Sequence, residues 1–267
     1  MIRRGDGMFK LNRGLRTIIL FFFLWEVVSL FGLLEAFHIP APHTVFKTFF
    51  FLLVEGIHVG ELGEVTMFKM AKDSLYRVCV GFFLALAIGF PVGFWMGWNR
   101  TVKAFLENMY TALRPLPPFA WVPLSLFFLG PGNLTSIYVI WIGAFFPISL
   151  NTMAAIENVE KKYIHAALTL GLTKNQLIRE VIIPSALPGI FTGIRIGLGM
   201  AWGLVVAAEI VAVKTGLGAL IWRADLVMRP DIILSGIIFI GLIAYGLEQG
   251  ILYLQGWLMK WQKGLVI

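Results

Sequence analysis

The sequence predicts an all-α integral membrane protein with about six transmembrane helices. Three observations carry this prediction: an apolar composition, apolar stretches long enough to cross a bilayer, and basic residues concentrated in alternate connections. Of the 267 residues, 58% are hydrophobic and 14% are charged, and the mean hydropathy is +0.83. Because a typical soluble domain is about 25% charged, this composition excludes a soluble enzyme. The many Phe and Trp residues also exclude a disordered chain.

A helix needs about 20 predominantly apolar residues to cross a membrane, because backbone polar groups in hydrocarbon must be bonded within the helix. Stretches that meet this requirement lie at about 17–37, 75–98, 112–130, 134–156, 190–213 and 232–257. The third and fourth come from one uncharged stretch, which the turn Gly130-Pro131-Gly132-Asn133 divides. We expect 1–16 to be a cytoplasmic N-terminal segment and 17–267 to be a single transmembrane domain.

The first apolar stretch follows basic residues, as the apolar core of a secretory signal does. It is too long for such a core, and no small-x-small cleavage site follows it. We therefore interpret it as a retained membrane span. The segment 38–73 then lies outside the cytoplasm, and its apolar part, 44–54, is too short to cross. We expect that part to be a helix lying against the membrane helices.

The distribution of basic residues indicates the orientation, because Lys and Arg near span ends are retained in the cytoplasm. With the N-terminus inside, thirteen Lys and Arg residues fall in cytoplasmic segments and six in external ones. The net charge of +7 is therefore interpreted as membrane topology rather than nucleic-acid binding. Both ends of the chain are predicted to be cytoplasmic.

The connection 157–188 is the longest cytoplasmic segment in this topology, and it is predicted to form two short helices joined at an elbow. The first helix, about 159–170, ends at Gly171, because glycine most easily adopts the left-handed conformation that terminates a helix. The second begins at Thr173, whose hydroxyl pairs with Gln176 in a capping box. A capped helix pair of this kind predicts a docking surface.

The second helix of the pair has an apolar face that begins at Leu177 and repeats at helical spacing. Lys174 is left for the aqueous side. We expect this helix to stop by Pro184, because proline removes a backbone donor and clashes with the preceding turn.

The string His165-Ala166-Ala167-Leu168-Thr169-Leu170-Gly171, followed by Ile182-Ile183-Pro184, resembles the EAA loop of the permease subunits of binding-protein-dependent ABC importers. In that family the loop forms a coupling helix that fits a groove on the cytoplasmic ATPase. The consensus Glu is His165 here, which removes an acidic contact but keeps the Ala-Ala and Gly geometry. The resemblance implies the type I ABC importer permease fold.

Further motifs resemble the nitrate, taurine and sulfonate branch of this family. They are R-P-L-P-P-F-A-W-V-P at 114–123, N-T at 151–152, L-P-G-I-F-T-G-I-R at 187–195, A-A-E at 207–209 and G-L-G at 216–218. Each is weak alone. In this order and at these spacings they are specific for the branch but not for one solute.

The resemblance implies which residues couple the chain to its ATPase. These are His165, Ala166, Ala167, Leu170, Gly171, Thr173, Lys174 and Leu177. It also implies a homodimer in the cytoplasmic (inner) membrane of a prokaryote, with two copies of a separate ATPase and an extracytoplasmic solute-binding protein.

The sequence contains no G-x-x-x-x-G-K-[ST] motif, whose backbone would cradle nucleotide phosphates. We therefore expect ATP and Mg²⁺ to be used by the partner ATPase, and this chain to be non-catalytic and to bind no cofactor. Its His residues are not at metal-ligand spacing and no catalytic cluster is present, so neither a metal site nor an intramembrane enzyme is predicted.

Six residues are candidates for the translocation path or its gate. They are Arg114, Pro117, Pro118, Trp121, Trp202 and Glu209. The prolines remove backbone donors and should kink or unwind the third span, either to line a cavity or only to bend the helix. Glu209 matches the family's Ala-Ala-Glu, and because the expected solute is an anion we favour a structural or gating role for it over direct contact.

Three arginines, Arg77, Arg114 and Arg195, would suit an anion, but each is near a predicted span end. There the guanidinium can extend into the headgroup region, which is the interpretation we favour. Glu26 and Glu248 are further charged residues inside predicted spans.

Glycines recur at four-residue spacing in the second and fifth spans. They allow close helix packing or, alternatively, faces that slide as the protein changes state.

The sequence thus predicts an importer subunit for a small oxyanion such as taurine, another sulfonate or nitrate. Bicarbonate or an organic cofactor precursor stays open as the solute. An ion-coupled secondary carrier is the alternative class, which would need paired charges along a membrane pathway and an inverted repeat.

Overall fold

The computed structural model describes residues 6–31, 39–59 and 63–260, and most of these residues are helical. The helices are α1 (Asp6–Leu30), α2 (Pro42–Val54), α3 (Met67–Trp98), α4 (Arg100–Leu113), α5 (Trp121–Leu129), α6 (Asn133–Glu157), α7 (Lys161–Thr169), α8 (Lys174–Gln176), α9 (Ile183–Ala212), α10 (Leu217–Leu226) and α11 (Pro230–Leu258). A short antiparallel hairpin pairs β1 (Ile57–His58) with β2 (Glu64–Val65). A 3₁₀ turn at Pro118–Ala120 precedes α5, and a π-helical turn at Leu177–Ile182 joins α8 to α9. The predicted all-α membrane fold is confirmed.

The chain forms two compact units. The first comprises Met1–Met70 with Leu220–Ile240, and the second comprises Ala71–Ala219 with Gly241–Ile267. The second unit contains the loop and the motifs singled out above. The single domain at 17–267 and the cytoplasmic segment at 1–16 stay predictions.

Four helices of the described residues are long and apolar enough to cross a membrane, or five if one bent pair counts as a span. They are Met67–Trp98, Asn133–Glu157, Lys174–Ala212 and Pro230–Leu258, with the bent pair Arg100–Leu113 and Pro118–Leu129. Within the described part of α1, the apolar helix Ile19–Ser29 is shorter than a span. Part of the predicted first span, 32–37, lies outside the described residues.

The third predicted span, 112–130, is wrong as a single helix, whereas its interruption at the prolines is confirmed. Helix α4 ends at Leu113, and the chain turns by 79° before it continues into α5. Pro117 has an extended backbone with ψ 130°, because the ring of the following Pro118 disfavours the helical conformation at the residue before it.

The prediction that the helix from Thr173 stops by Pro184 is also wrong. The helix continues through the π turn Leu177–Ile182 into α9, and Pro184 lies in the first turn of α9. At the junction the Ile183 N–H donates to the Ile178 carbonyl, five residues back. This wider spacing precedes the proline and lets the helix pass a residue that would clash with the carbonyl four residues earlier.

Glycines allow α6 to lie very close to two other helices of the second unit. A Cβ on Gly93 of α3 would run into the Ser149 backbone of α6. A Cβ on Gly193 of α9 would come within 2.7 Å of the Asn151 side chain and 3.1 Å of the Pro147 carbonyl. These contacts support close packing at these positions. Gly199 and Gly203, in contrast, face open space in the described structure.

In the first unit, polar groups join α2 to the start of α11. The Thr48 hydroxyl donates to Asp231 Oδ2 at 2.7 Å, and the Ser235 hydroxyl donates to the Val45 carbonyl at 3.1 Å. Arg229 binds the same Asp231 carboxylate through two nitrogens, at 2.9 and 2.7 Å. The expected short helix near 44–54 is therefore confirmed as α2.

Candidate functional site

The loop between α6 and α9 forms the expected elbow. Helix α7 is followed by Gly171, whose φ is +77°, a conformation that side chains disfavour. The Thr173 N–H donates to Gln176 Oε1 at 2.9 Å, and the Gln176 N–H lies 3.5 Å from Thr173 Oγ1. The predicted left-handed glycine and the capping box are both confirmed.

The eight residues predicted for coupling separate into two groups. His165, Ala166, Leu170, Gly171, Thr173 and Lys174 are exposed. Ala167 and Leu177 are each 5% exposed and lie in one apolar cluster with the ends of α6 and α9. Leu170, directly after α7, has 80% of its surface exposed. The elbow therefore presents apolar surface outward, while Ala167 of α7 packs in the apolar cluster.

Two contacts connect this loop region to α3 and α4. Lys174 Nζ lies 6.0 Å from the centre of the Trp98 ring at the end of α3, within cation–π range. Lys103 Nζ of α4 binds Glu157 Oε1 at 2.8 Å at the end of α6. These contacts join the loop region and the end of α6 to α3 and α4.

Glu209 and Arg77 form a buried ion pair in the second unit. Arg77 Nη1 lies 2.6 Å from Glu209 Oε1, and the side chains are 3% and 0% exposed. The Ser74 hydroxyl and the Gly218 N–H each donate to Glu209 Oε2 at 2.9 Å. We favoured headgroup contact for Arg77 from sequence, and this is wrong, because a carboxylate 132 residues along the chain binds it.

The remaining donors of Arg77 hold the turn after α9. Nη1 and Nη2 donate to the Thr215 carbonyl and hydroxyl at 2.7 and 3.0 Å, and Nε donates to Asn133 Oδ1 at 2.8 Å. The turn fits tightly against the carboxylate, since a Cβ on Gly216, where φ is +123°, would collide with Glu209. The Gly216-Leu217-Gly218 motif thus follows from the close approach of backbone to Glu209.

A second ion pair joins α9 to α11. Arg195 Nη2 lies 2.8 Å from Glu248 Oε1, and both side chains line a cavity of about 370 Å³ with Trp202. These two side chains are 41% and 55% exposed, so headgroup contact of Arg195 stays a prediction. In the first unit, the third flagged carboxylate, Glu26, lies 2.6 Å from His43 Nδ1.

The break between α4 and α5 borders two cavities that share Arg114, Leu150 and Met153. One has a volume of about 450 Å³ and the other about 490 Å³. Pro118 lines the larger one, whereas Pro117 is exposed and Trp121 is half-buried at the start of α5. The structure therefore brings Arg114 and Pro118 to one cavity but places Glu209 in the separate network with Arg77.

Ser74, Asn133 and Thr215 bind the buried ion pair, a role that the sequence did not indicate for any of them. Ser74 and Arg77 are three residues apart and so share a helix face, which is the one local signal that was available. The others come from distant turns, and nothing near them in sequence indicates a shared partner.

The comparisons with known proteins agree with this arrangement. Residues 89–257 match the family model described as binding-protein-dependent transport system inner membrane component. The taurine transport system permease protein TauC of Escherichia coli is 34% identical over 245 residues, covering 92% of this chain and 88% of that protein. The bicarbonate transport system permease protein CmpB of Synechococcus elongatus is 34% identical over 268 residues, covering 96% and 95%.

Among solved structures, the fold is similar to the MetNI methionine ABC transporter in an inward-facing conformation, with a TM-score of 0.61. The match has 19% identity and covers 73% of this chain and 94% of that chain, so it shows the type I permease fold alone. The family match across most of the chain, together with these relatives, carries the assignment. The chain belongs to the binding-protein-dependent transport system inner membrane component family and is a permease subunit of an ABC importer.

Proposed function

We propose that this chain is the membrane-spanning subunit of an ATP-driven importer for a small oxyanion of the taurine, sulfonate, nitrate or bicarbonate type. The relatives named for taurine and for bicarbonate support the class, because both solutes carry an anionic oxygen group. A carrier is required since an anion in hydrocarbon has a prohibitive solvation penalty.

The observation that supports coupling to an ATPase is the α7 elbow. Leu170 is 80% exposed beside Gly171, while the opposite face of α7 packs on the cluster containing Ala167 and Leu177. An apolar surface on a rigid, capped support suits a protein partner. In the proposed cycle, ATP binding closes two ATPase subunits and displaces the elbow, and α9 transmits this movement because it is continuous with α8 through the π turn.

We propose further that two copies of this chain form the membrane part, with both termini in the cytoplasm. The excess of basic residues in the predicted cytoplasmic segments supports this orientation. An extracytoplasmic binding protein delivers the solute and selects it, and ATP and Mg²⁺ are used by the ATPase rather than by this chain.

The ion-coupled carrier is not favoured by the buried ion pair. Arg77 and Glu209 are both buried. Ser74 and Gly218 donate hydrogen bonds to Glu209, and Arg77 donates to the Thr215 carbonyl. Neither residue lines the cavities beside Arg114. Because the polar groups of this ion pair are hydrogen-bonded to other protein groups, the pair suits a structural connection better than an ion pathway.

The test is co-purification of the tagged full-length chain from membranes of its own host. We expect a subunit carrying the G-x-x-x-x-G-K-[ST] motif to be retained, and Leu170→Asp to weaken that association and solute uptake at least tenfold. Thr101→Asp, which adds a carboxylate at an exposed position of α4, is the matched control and should retain both. Equal retention and uptake in the two variants would refute the coupling role of the elbow.

A further inference from the structure

Arg114 differs from three other arginines in or beside the membrane helices, which are bound to carboxylates. Arg77, Arg195 and Arg229 each lie within 2.6 to 2.8 Å of a carboxylate oxygen. Within residues 6–31, 39–59 and 63–260, the Arg114 side chain has neither an ion pair nor a hydrogen bond with another residue, and it is exposed. The described structure therefore neutralises the other three and leaves Arg114 unpaired.

The surroundings of Arg114 are apolar. Of the residues lining the cavity of about 490 Å³, Arg114 is the charged one in the described structure, and the rest are mainly aliphatic, proline and glycine side chains. The Asn151 amide in this lining already donates to the Pro147 carbonyl at 2.8 Å. Because Arg114 is exposed and no carboxylate is bound to it in the described structure, its guanidinium is available to pair with a mobile anion.

The adjoining cavity is lined by charges of both signs. Lys103, Glu107 and Arg114 line it, and Lys103 is bound to Glu157 at 2.8 Å. The two cavities share Arg114, so an anion passing from one to the other meets its guanidinium.

The proline-rich break explains why an arginine is presented here. Helix α4 ends at Leu113 and the chain turns by 79°. Arg114 is thus the first residue after α4, beside both cavities instead of packed within a continuous helix. A guanidinium offers a planar pair of donors that matches the oxygens of a sulfonate, nitrate or bicarbonate.

We propose that Arg114 binds the anionic group of the solute as it passes the break between α4 and α5 and thereby selects anions. This inference rests on the proposed oxyanion import and assigns its contact residue. The ion-paired Arg77 and Arg195 do not take this role.

The test measures initial uptake of labelled taurine, methanesulfonate and bicarbonate by cells expressing the complete transporter. We expect Arg114→Ala to raise the KM for the transported anion at least tenfold. Arg114→Lys should raise it less than Arg114→Ala, because lysine keeps the charge but loses the planar pair of donors. Arg100→Ala removes an exposed arginine of the same helix that lines neither cavity, and it should leave the KM unchanged. Immunoblotting and ATPase activity establish that each variant is assembled.

A charge-rescue experiment separates solute contact from a structural role. The single cysteine, Cys79, is first replaced by serine, and Arg114→Cys is then introduced. Labelling with the cationic 2-aminoethyl methanethiosulfonate should restore uptake at low solute concentration, whereas the anionic 2-sulfonatoethyl reagent should not. Equal effects of the two reagents, or an Arg114→Ala KM equal to that of Arg100→Ala, would overturn the role of Arg114 while oxyanion import stands. Import by the wild type of none of the three anions would overturn both.

Discussion

The buried ion pair supports a quantitative prediction for Glu209→Gln. In the native network Glu209 accepts from the Arg77 guanidinium, the Ser74 hydroxyl and the Gly218 N–H, at 2.6, 2.9 and 2.9 Å. A glutamine keeps one acceptor oxygen but points an NH₂ group at donors, and it leaves the Arg77 charge uncompensated at 3% exposure. Removing one partner of a buried pair costs about 3–5 kcal/mol.

Such a loss corresponds to roughly two to three and a half orders of magnitude in the unfolding equilibrium. The assay is unfolding of the purified protein in mixed detergent micelles, followed by tryptophan fluorescence from its 9 Trp residues. Glu160→Gln is the matched control, because the Glu160 side chain is exposed and pairs with the nearby Lys162. We expect no measurable change of its midpoint.

A double variant tests whether the loss arises from the pair itself. Replacing both Arg77 and Glu209 by methionine should destabilise the protein less than the sum of the two single replacements, because no lone buried charge remains. Equal unfolding midpoints for Glu209→Gln, Glu160→Gln and the wild type would refute the assignment of this pair as a structural connection.

Three further predictions concern the elbow and the helix packing. Gly171→Val should lower uptake and reduce the free energy of unfolding by about 1–2 kcal/mol, since φ is +77° there. Gly171→Asn should retain uptake because asparagine tolerates that conformation, and equal uptake by the two variants would contradict the elbow geometry. Thr173→Ala removes the capping box and should lower stability by about 0.5–2 kcal/mol, measured by the same unfolding assay. Gly93→Ala should destabilise the protein by about 1–3 kcal/mol because the added Cβ meets the Ser149 backbone. Gly199→Ala should leave the stability unchanged because Gly199 faces open space, and a larger loss for Gly199→Ala than for Gly93→Ala would exclude close α3–α6 packing.

Features set by neighbouring residues were predictable from the sequence. The capping box of Thr173 and Gln176 and the left-handed Gly171 depend on residues within one turn, and the break before α5 depends on the backbone restrictions of adjacent prolines. The prediction that the helix ends at Pro184 failed because the rule assumes α-helical spacing. A π turn replaces that spacing just before the proline.

Pairings between distant residues were not predictable. Arg77 lies 132 residues from Glu209 and Arg195 lies 53 residues from Glu248, and a single sequence carries no signal for which cation meets which carboxylate. Headgroup contact was therefore a mistaken interpretation for the buried Arg77, whereas for the exposed Arg195 it stays a prediction. Helix packing, determined by glycines such as Gly93, decides which charged faces meet.

Site-specific photo-cross-linking tests most directly whether the elbow after α7 contacts a separate ATPase. A benzophenone side chain is placed at Leu170, which is 80% exposed, or at Tyr245 of α11, which is 65% exposed, in cells expressing the complete transporter. We expect a cross-link from position 170, and none from position 245, to a protein that mass spectrometry identifies by its G-x-x-x-x-G-K-[ST] motif. A cross-link to that protein from position 245 but not from position 170 would show that the elbow is not the contact surface.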